Sequence, residues 1–153
     1  MWVPREIRDP VLAHAPTRRA VGVFGAVCAR DGRLTTQTAQ RFDAASFQSF
    51  LTRLAQRQHS SRRMIVVLDN ARWHHAGALR PWLLNHRHIL RLDFLPTYSP
   101  ELNHIERVWK LTRRLCIHNR YFPALNELVR TVFEQFGLWS RPNMALRQLC
   151  AII

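Results

Sequence analysis

Two separated segments, one ending in an aspartate and the other carrying a glutamate, constrain this chain more than any other feature of its sequence. Residues 64–69 read Met-Ile-Val-Val-Leu-Asp, a continuous apolar run that is short enough for a central parallel strand and is closed by Asp69. Residues 99–110 begin with Ser-Pro, which is typical of a helix start, and they place Glu106 on the polar face of that helix. Because open α/β sheets bind ligands at the carboxyl ends of their strands, we expect Asp69 and Glu106 to meet in one site.

The rest of the pattern predicts a single α/β domain over residues 1–153, which begins with an irregular segment, 1–19, that contains three prolines. In chain order, the predicted elements are strands over 20–29 and 34–42 joined by an Arg-Asp-Gly-Arg turn, a helix capped by Asp43, a strand over 64–68, a helix over 73–86, a strand over 89–95, and helices that begin at Ser99 and after Pro123, the last ending at Gly137. A hairpin followed by right-handed crossovers predicts a mixed sheet flanked by helices.

The charge of the chain indicates a polyanionic partner. Its formal net charge is +13, from 23 basic and 10 acidic residues, and its sequence pI is about 11.6. A solubilising surface gives the same count, but a pI above about 9 is the usual footprint of a nucleic-acid-binding protein. Nucleic acid is therefore the expected partner.

The cysteines and the apolar runs indicate the compartment. Cys28, Cys116 and Cys150 are odd in number and widely spaced, so neither a disulfide framework nor a zinc ribbon is indicated. The longest wholly apolar run, residues 20–29, is shorter than the roughly 20 residues that span a bilayer, and the first residues lack the layout of a signal peptide. We expect a cytoplasmic protein with no membrane partner.

Two carboxylates that meet in a strongly basic chain suggest metal-assisted chemistry on a phosphodiester. Such chemistry commonly uses two divalent ions about 3.5–4 Å apart, and Mg²⁺ prefers hard oxygen ligands. Each acid also has a plainer interpretation, since Asp69 suits a cap for the following turn and Glu106 suits an i, i+4 ion pair with Lys110. Spacing alone favours that ion pair, and the wider motif reverses the preference.

The two segments resemble the signatures of a known family. Asp69-Asn70-Ala71, with His74 after it, resembles the "DNA..H" signature of DDE transposases, and residues 95–109 resemble their "LPpYSPeLNpIE..W" signature. On these motifs the chain is identified as a member of the mariner-like branch found in bacterial insertion sequences. The likeness extends from Trp2-Val3-Pro4 to the last helices, with His104 standing where the family usually has proline.

The resemblance implies a ribonuclease H-like, retroviral-integrase-like fold and DNA transposition, in which water nicks a strand and the freed 3′-hydroxyl is joined to a target. It implies Mg²⁺ or Mn²⁺ in a two-metal site, with Asp69 and Glu106 as the second and third acids of a catalytic triad. Asn70, His74 and Asn103 match polar positions of the motif, where hydrogen bonding around the ligands is expected rather than direct ligation.

The resemblance also implies parts that we do not find in the sequence. The family's first acid lies on a central first strand upstream of residues 2–4, and neither Glu6, Asp9 nor Asp31 suits that position. We therefore expect the carboxy-terminal part of a transposase catalytic domain that lacks this strand and the amino-terminal helix-turn-helix. Two strand edges should then be unpaired and the isolated chain inactive. The expected partners are DNA and either the upstream half of the transposase, supplied by a second reading frame, or further copies in a homo-oligomer.

Three other functions stay open at this point. A non-catalytic nucleic-acid-binding remnant would bind DNA in a salt-sensitive way without cutting it. A ribonuclease H-like nuclease would cut without joining ends, which the motif over residues 98–106 argues against. A zinc protein is suggested by His74-His75, His86-x-His88 and Cys116-x-His118, although their spacing matches no structural zinc motif.

Overall fold

The computed structural model describes residues 20–58, 63–97 and 99–151. The segment predicted to be irregular, 1–19, lies outside the described residues. So does Tyr98 of the second motif, which is expected to shape the loop before the helix predicted to begin at Ser99. The strands are β1 (Gly22–Val27), β2 (Leu34–Ala39), β3 (Met64–Leu68) and β4 (Leu90–Phe94), and the helices are α1 (Ala44–Gln56), α2 (Arg80–Asn85), α3 (His104–Thr112), α4 (Leu125–Trp139) and α5 (Met144–Leu149). None of these helices combines the length and apolar character that crossing a bilayer requires.

The predicted hairpin is present. β1 and β2 pair in antiparallel register from Gly22 opposite Ala39 to Val27 opposite Leu34. The turn needs Gly32, which has a φ of 72° and lies so close to the backbone of Asn143 that a side chain would collide with it. Burial would raise the pKa of Asp31, but hydrogen bonds from Arg33 and Cys28, together with the positive charge of Arg33, outweigh this effect and lower the pKa.

Helix α1 begins where the sequence predicts. The Asp43 carboxylate accepts a hydrogen bond from the backbone N–H of Ser46 at 2.8 Å, and the Ser46 hydroxyl accepts one from the backbone N–H of Asp43 at 3.0 Å. This reciprocal cap directs the apolar face of the helix inward. Its buried residues are those that helical spacing predicted as core: Phe47, Phe50, Leu51 and Leu54.

The α/β class is confirmed, and the strands of the described residues do not join into one continuous mixed sheet. These form two two-stranded sheets, the antiparallel β1–β2 pair and the parallel β3–β4 pair. Both sheets place apolar side chains in one core against α1, Phe24 from β1 and Leu68 from β3. Side-chain packing therefore holds them, while one edge of β1 and one edge of β3 form no strand pairing in the described part of the chain.

Three predicted helix boundaries differ from the structure. The helix expected over 73–86 is two short 3₁₀ turns followed by α2, which has Pro81 in its first turn because proline lacks an N–H group for the helix interior. Ser99 and Pro100 begin only a 3₁₀ turn, and α3 starts at His104. Gly137 does not end α4, because the helix continues to bury the Trp139 side chain, which is 5% exposed.

A second core covers the other face of the hairpin and orients α3. Val108 and Trp109 of α3 pack there with Phe136 of α4 and Leu146 of α5. Gly25 of β1 contacts the indole ring of Trp109 so closely that no side chain would fit between them. β1 is thus packed on both faces, and its contact with Trp109 helps to position α3.

Candidate active site

A cavity of about 360 Å³ lies beside the ends of β3 and β4 and the start of α3. Four of the five residues proposed from the sequence as site residues line it, and the fifth, His74, contacts one of those four. The lining residues are Asp69, Asn70, Leu95, Pro96, Thr97, Ser99, Asn103 and Glu106. The fold therefore brings two carboxylates from distant parts of the sequence to the same cavity.

Asp69 follows directly on the last residue of β3 and keeps part of its carboxylate free. Its Oδ1 accepts a hydrogen bond from the backbone N–H of Ala71 at 3.2 Å and lies 3.1 Å from Nδ1 of His74. The side chain is 59% exposed, and its Oδ2 has no hydrogen-bond partner among the described residues. The bond to Ala71 is the turn cap that the plainer interpretation assigned to this aspartate, and it leaves the second oxygen available to a cation.

His74 holds the segment that carries Asp69. Its Nδ1 lies 3.0 Å from the backbone carbonyl oxygen of Asp69, so this nitrogen carries the hydrogen, because a carbonyl oxygen can only accept. Burial lowers the pKa of His74 below its usual value, although the contacts with Asp69 act in the opposite direction. The imidazole ring packs 4.3 Å from the ring of Phe47, centroid to centroid, which joins the site to the core beneath α1.

Asn70 bridges the two walls of the cavity. Its side-chain amide donates to the backbone carbonyl of Leu95 at 2.6 Å, and its Oδ1 lies 3.1 Å from Nε2 of His75. Since the amide oxygen accepts, Nε2 of His75 is the donor. The His75 ring stacks on Phe94 at 4.2 Å between ring centroids. Sequence reasoning did not assign His75 to the site, although its spacing from Asn70 repeats that of His74 from Asp69.

Glu106 lies in the first turn of α3, where the helix dipole favours a negative charge. Its backbone N–H donates to the carbonyl of Asn103 at 3.0 Å. The half-buried side chain forms no ion pair with Lys110, and it has no hydrogen-bond partner in the described part of the chain. The Asn103 side chain makes no capping bond, although it occupies the N-cap position of α3. A free carboxylate and a free amide therefore line the cavity from this helix.

The chemistry of these donors suits Mg²⁺ or Mn²⁺, because carboxylate and amide oxygens are the hard ligands that both ions prefer. Within residues 20–58, 63–97 and 99–151, no three side chains of His, Cys, Asp or Glu come together as a metal-binding group. The two carboxylates do not form such a group, and neither do the described histidine and cysteine pairs that were considered as zinc ligands. The described residues thus bring two acids, not three, to the cavity.

Comparisons with known proteins agree with the motifs. The profile of the family described as DDE superfamily endonuclease matches residues 1–129. The uncharacterized protein y4pE/y4sA of Sinorhizobium fredii is 31% identical over 107 residues, which cover 70% of this chain and 76% of that protein. The insertion element IS630 uncharacterized 39 kDa protein of Shigella sonnei is 25% identical over 108 residues. That match covers 71% of this chain but only 31% of the Shigella protein.

A solved structure is also similar to this chain. It is a chain of the simian T-cell lymphotropic virus intasome in complex with PP2A regulatory subunit B56 gamma, solved by cryo-electron microscopy. The similarity has a TM-score of 0.47 at 12% sequence identity and covers 83% of this chain and 53% of that one.

Proposed function

The chain belongs to the DDE superfamily endonuclease family, and we propose that it contributes two of the metal-binding carboxylates with which a transposase cleaves and joins DNA strands. The observation that carries this proposal is the shared cavity of Asp69 and Glu106. Their segments are far apart in the sequence, and both belong to the motifs that suggested the family.

In this proposal Asp69 and Glu106 are the ligands, and their neighbours position them. The free Oδ2 of Asp69 and the unpaired carboxylate of Glu106 supply oxygen ligands. His74 holds the Asp69 segment through its Nδ1–H, and Asn70 and His75 tie that segment to the chain after β4. When bound, Mg²⁺ or Mn²⁺ would activate the attacking oxygen and stabilise the leaving oxygen of a phosphodiester.

We further propose that a third carboxylate arrives on an extended segment that pairs with the free edges of β1 and β3. Both strands pack against α1 without pairing with each other, and unpaired backbone groups cost about 1–3 kcal/mol each when they are buried. An inserted strand would satisfy both edges and join the two pairs into one mixed sheet of the ribonuclease H-like kind. Its carboxyl-terminal acid would complete the triad. The source of the strand, an upstream transposase half or a further copy, is part of the same proposal.

Metal binding tests the site without requiring activity. We expect the full chain to bind Mn²⁺, measured from the electron paramagnetic resonance signal of the free ion, and Asp69→Asn or Glu106→Gln to weaken binding by about tenfold or more. Glu127→Gln is the matched control, because this acid lies on α4 and does not line the cavity. Equal Mn²⁺ affinity in the site variants and the control would overturn the proposal.

A plasmid-nicking assay tests the need for a third carboxylate. We expect no Mg²⁺-dependent nicking of supercoiled DNA by the chain alone. Nicking that Asp69→Ala abolishes would contradict this part of the proposal and would require a third acid within the chain itself.

The second candidate function is a DNA-binding remnant without catalysis. It is favoured by one observation, the presence of only two acids at the cavity among the described residues of a chain with a net charge of +13. Its signature is salt-sensitive DNA binding that Mn²⁺ does not alter, either in the wild-type chain or in Asp69→Asn.

A further inference from the structure

A second cavity, also of about 360 Å³, lies at the outer edge of β2 between α1 and α4. It shares no lining residue with the cavity of Asp69 and Glu106. Its walls combine two arginines with two of the three threonines of β2, and its remaining surface includes two phenylalanines. No aspartate or glutamate lines it.

The arginines of this groove are not neutralised. Arg53 lies in the last turn of α1 and Arg57 is the C-cap residue that follows this helix, and neither forms an ion pair with a described residue. Arg57 is fixed in place, because its Nη1 donates to the hydroxyl of the buried Thr35 at 3.2 Å. A fixed, unpaired guanidinium retains further N–H groups and is suited to bind a phosphate oxygen.

The edge of β2 adds hydrogen-bond donors to the same groove. Cys28 donates its backbone N–H to the carbonyl of Arg33, which sets the alternation of bonded and non-bonded pairs along the hairpin. By that alternation, the backbone N–H groups of Thr36 and Thr38 point away from β1, toward the side on which β2 has no partner strand among the described residues. Both threonines line the groove, so their hydroxyls and outward N–H groups are available to a ligand.

Aromatic side chains complete the surface. Phe133 and Phe136 of α4 line the groove opposite the arginines, and Phe133 remains half-buried rather than fully covered. Positive charge, hydrogen-bond donors and aromatic surface in one groove are features that bind single nucleic-acid strands. An acidic peptide would use the strand edge and the arginines, but it would gain less from the aromatic rings.

We propose that this groove is a second DNA-contact site, which holds the sugar–phosphate backbone of a single strand outside the cavity of the two carboxylates. The proposal rests on the proposed function, since DNA is the polyanion that the family handles. Arg53 and Arg57 bind phosphates, Thr36 and Thr38 donate hydrogen bonds, and Phe133 contacts the sugars or bases.

Salt-dependent binding of the full chain to a fluorescein-labelled single-stranded 20-mer, measured by anisotropy in EDTA, tests the groove. Each arginine that contacts a phosphate should contribute about 0.7 to the slope of log K against log salt. The double variant Arg53→Gln and Arg57→Gln should therefore lose about 1.4 from that slope, and we expect its affinity at low salt to fall on the order of tenfold.

Two controls separate contact from net charge and from misfolding. The double variant Arg91→Gln and Arg130→Gln removes the same charge from arginines that pair with acids outside the groove. An equal loss of slope in this control would overturn the proposal. Arg53→Gln alone removes an exposed side chain with no hydrogen-bond partner among the described residues, so it tests the groove even if Arg57→Gln perturbs folding. Arg53→Lys should keep most of the slope.

Two further measurements identify the occupant of the groove and test whether the two sites are independent. If polyglutamate binds with the same dependence on Arg53 and Arg57 while the 20-mer does not, the occupant is an acidic peptide and the proposal fails. Unchanged Mn²⁺ affinity in the groove variants and unchanged DNA binding in Asp69→Asn are expected, because the two sites share no residue. If Asp69→Asn and Glu106→Gln leave Mn²⁺ affinity unchanged while the groove variants still lose salt dependence, the proposed function fails and the groove proposal stands.

Discussion

The side-chain amide of Asn70 donates to the backbone carbonyl of Leu95 at 2.6 Å, and this bond ties the chain after β3 to the chain after β4. The two segments form adjoining walls of the cavity that contains Asp69. His75 completes the link by contacting Asn70 while it stacks on Phe94 at the end of β4. The position of the Asp69 segment relative to the chain after β4 therefore depends on side chains that are not themselves proposed ligands.

Removing the Asn70 bridge should loosen the cavity. We expect Asn70→Ala to lower the free energy of unfolding by about 1 kcal/mol, which is the usual net contribution of a hydrogen bond. We also expect this variant to bind Mn²⁺ severalfold more weakly. Urea denaturation and Mn²⁺ titration measure the two effects. His75→Ala should weaken Mn²⁺ binding in the same direction and by less, because the bond to Leu95 is retained. Unchanged Mn²⁺ affinity in both variants would show that the bridge does not position Asp69.

Gly25 of β1 has no room for a side chain beside the ring of Trp109. We expect Gly25→Ala to lower the free energy of unfolding by about 1–3 kcal/mol, because the new Cβ would overlap the ring of Trp109 and force the core to shift. Thermal unfolding followed by circular dichroism measures the loss. Gly137→Ala is the matched control, since a Cβ added at Gly137 would meet no atom within 4 Å and the residue is inside a helix. This control should stabilise the chain by up to about 1 kcal/mol, and a stability loss equal to that of Gly25→Ala would contradict the packing argument.

The cap of α1 should make stability depend on pH. The hydrogen bond from the Ser46 backbone N–H lowers the pKa of Asp43 below its ordinary 3.8, so the unfolded chain binds the proton more readily than the folded one. The contribution of the cap is therefore present above pH 3.8 and is lost as the pH falls through the folded pKa. Asp43→Ala should be less stable than the wild type in urea at pH 7, and the difference should shrink toward pH 3. An equal difference at both pH values would mean that the Asp43 charge is not involved.

The three cysteines should react at different rates. Cys28 is exposed, whereas Cys116 and Cys150 are buried, and burial raises the pKa of both buried thiols. With Ellman's reagent at pH 8 we expect one fast thiol and two slow ones, because the thiolate is the reactive form. Cys28→Ser should remove the fast phase and leave the slow ones. Two fast thiols in the wild type would show that one of the buried sites opens readily.

Local features of this protein were predictable because they depend on neighbouring residues. The cap of α1, the hairpin turn at Gly32 and the apolar face of α1 each follow from side chains within one or two turns of each other. The end of α4 was not predictable in this way. Gly137 is a reasonable stop signal by local preference, but burial of Trp139 in the second core outweighs the cost of about 1 kcal/mol for a helical glycine.

Sequence alone was enough to establish the family, the α/β class and the candidate acids, since the motifs around Asp69 and Glu106 are long and specific. The tertiary structure decided the rest: the shared cavity of these acids, the bridge of His75 and Asn70 to Leu95, and the separation of β1–β2 from β3–β4. The physical reason is the sequence separation of the interacting residues. Caps and turns form between residues that are already close in the chain, whereas the position of one carboxylate relative to another is set by how α1 and α3 pack on the strands.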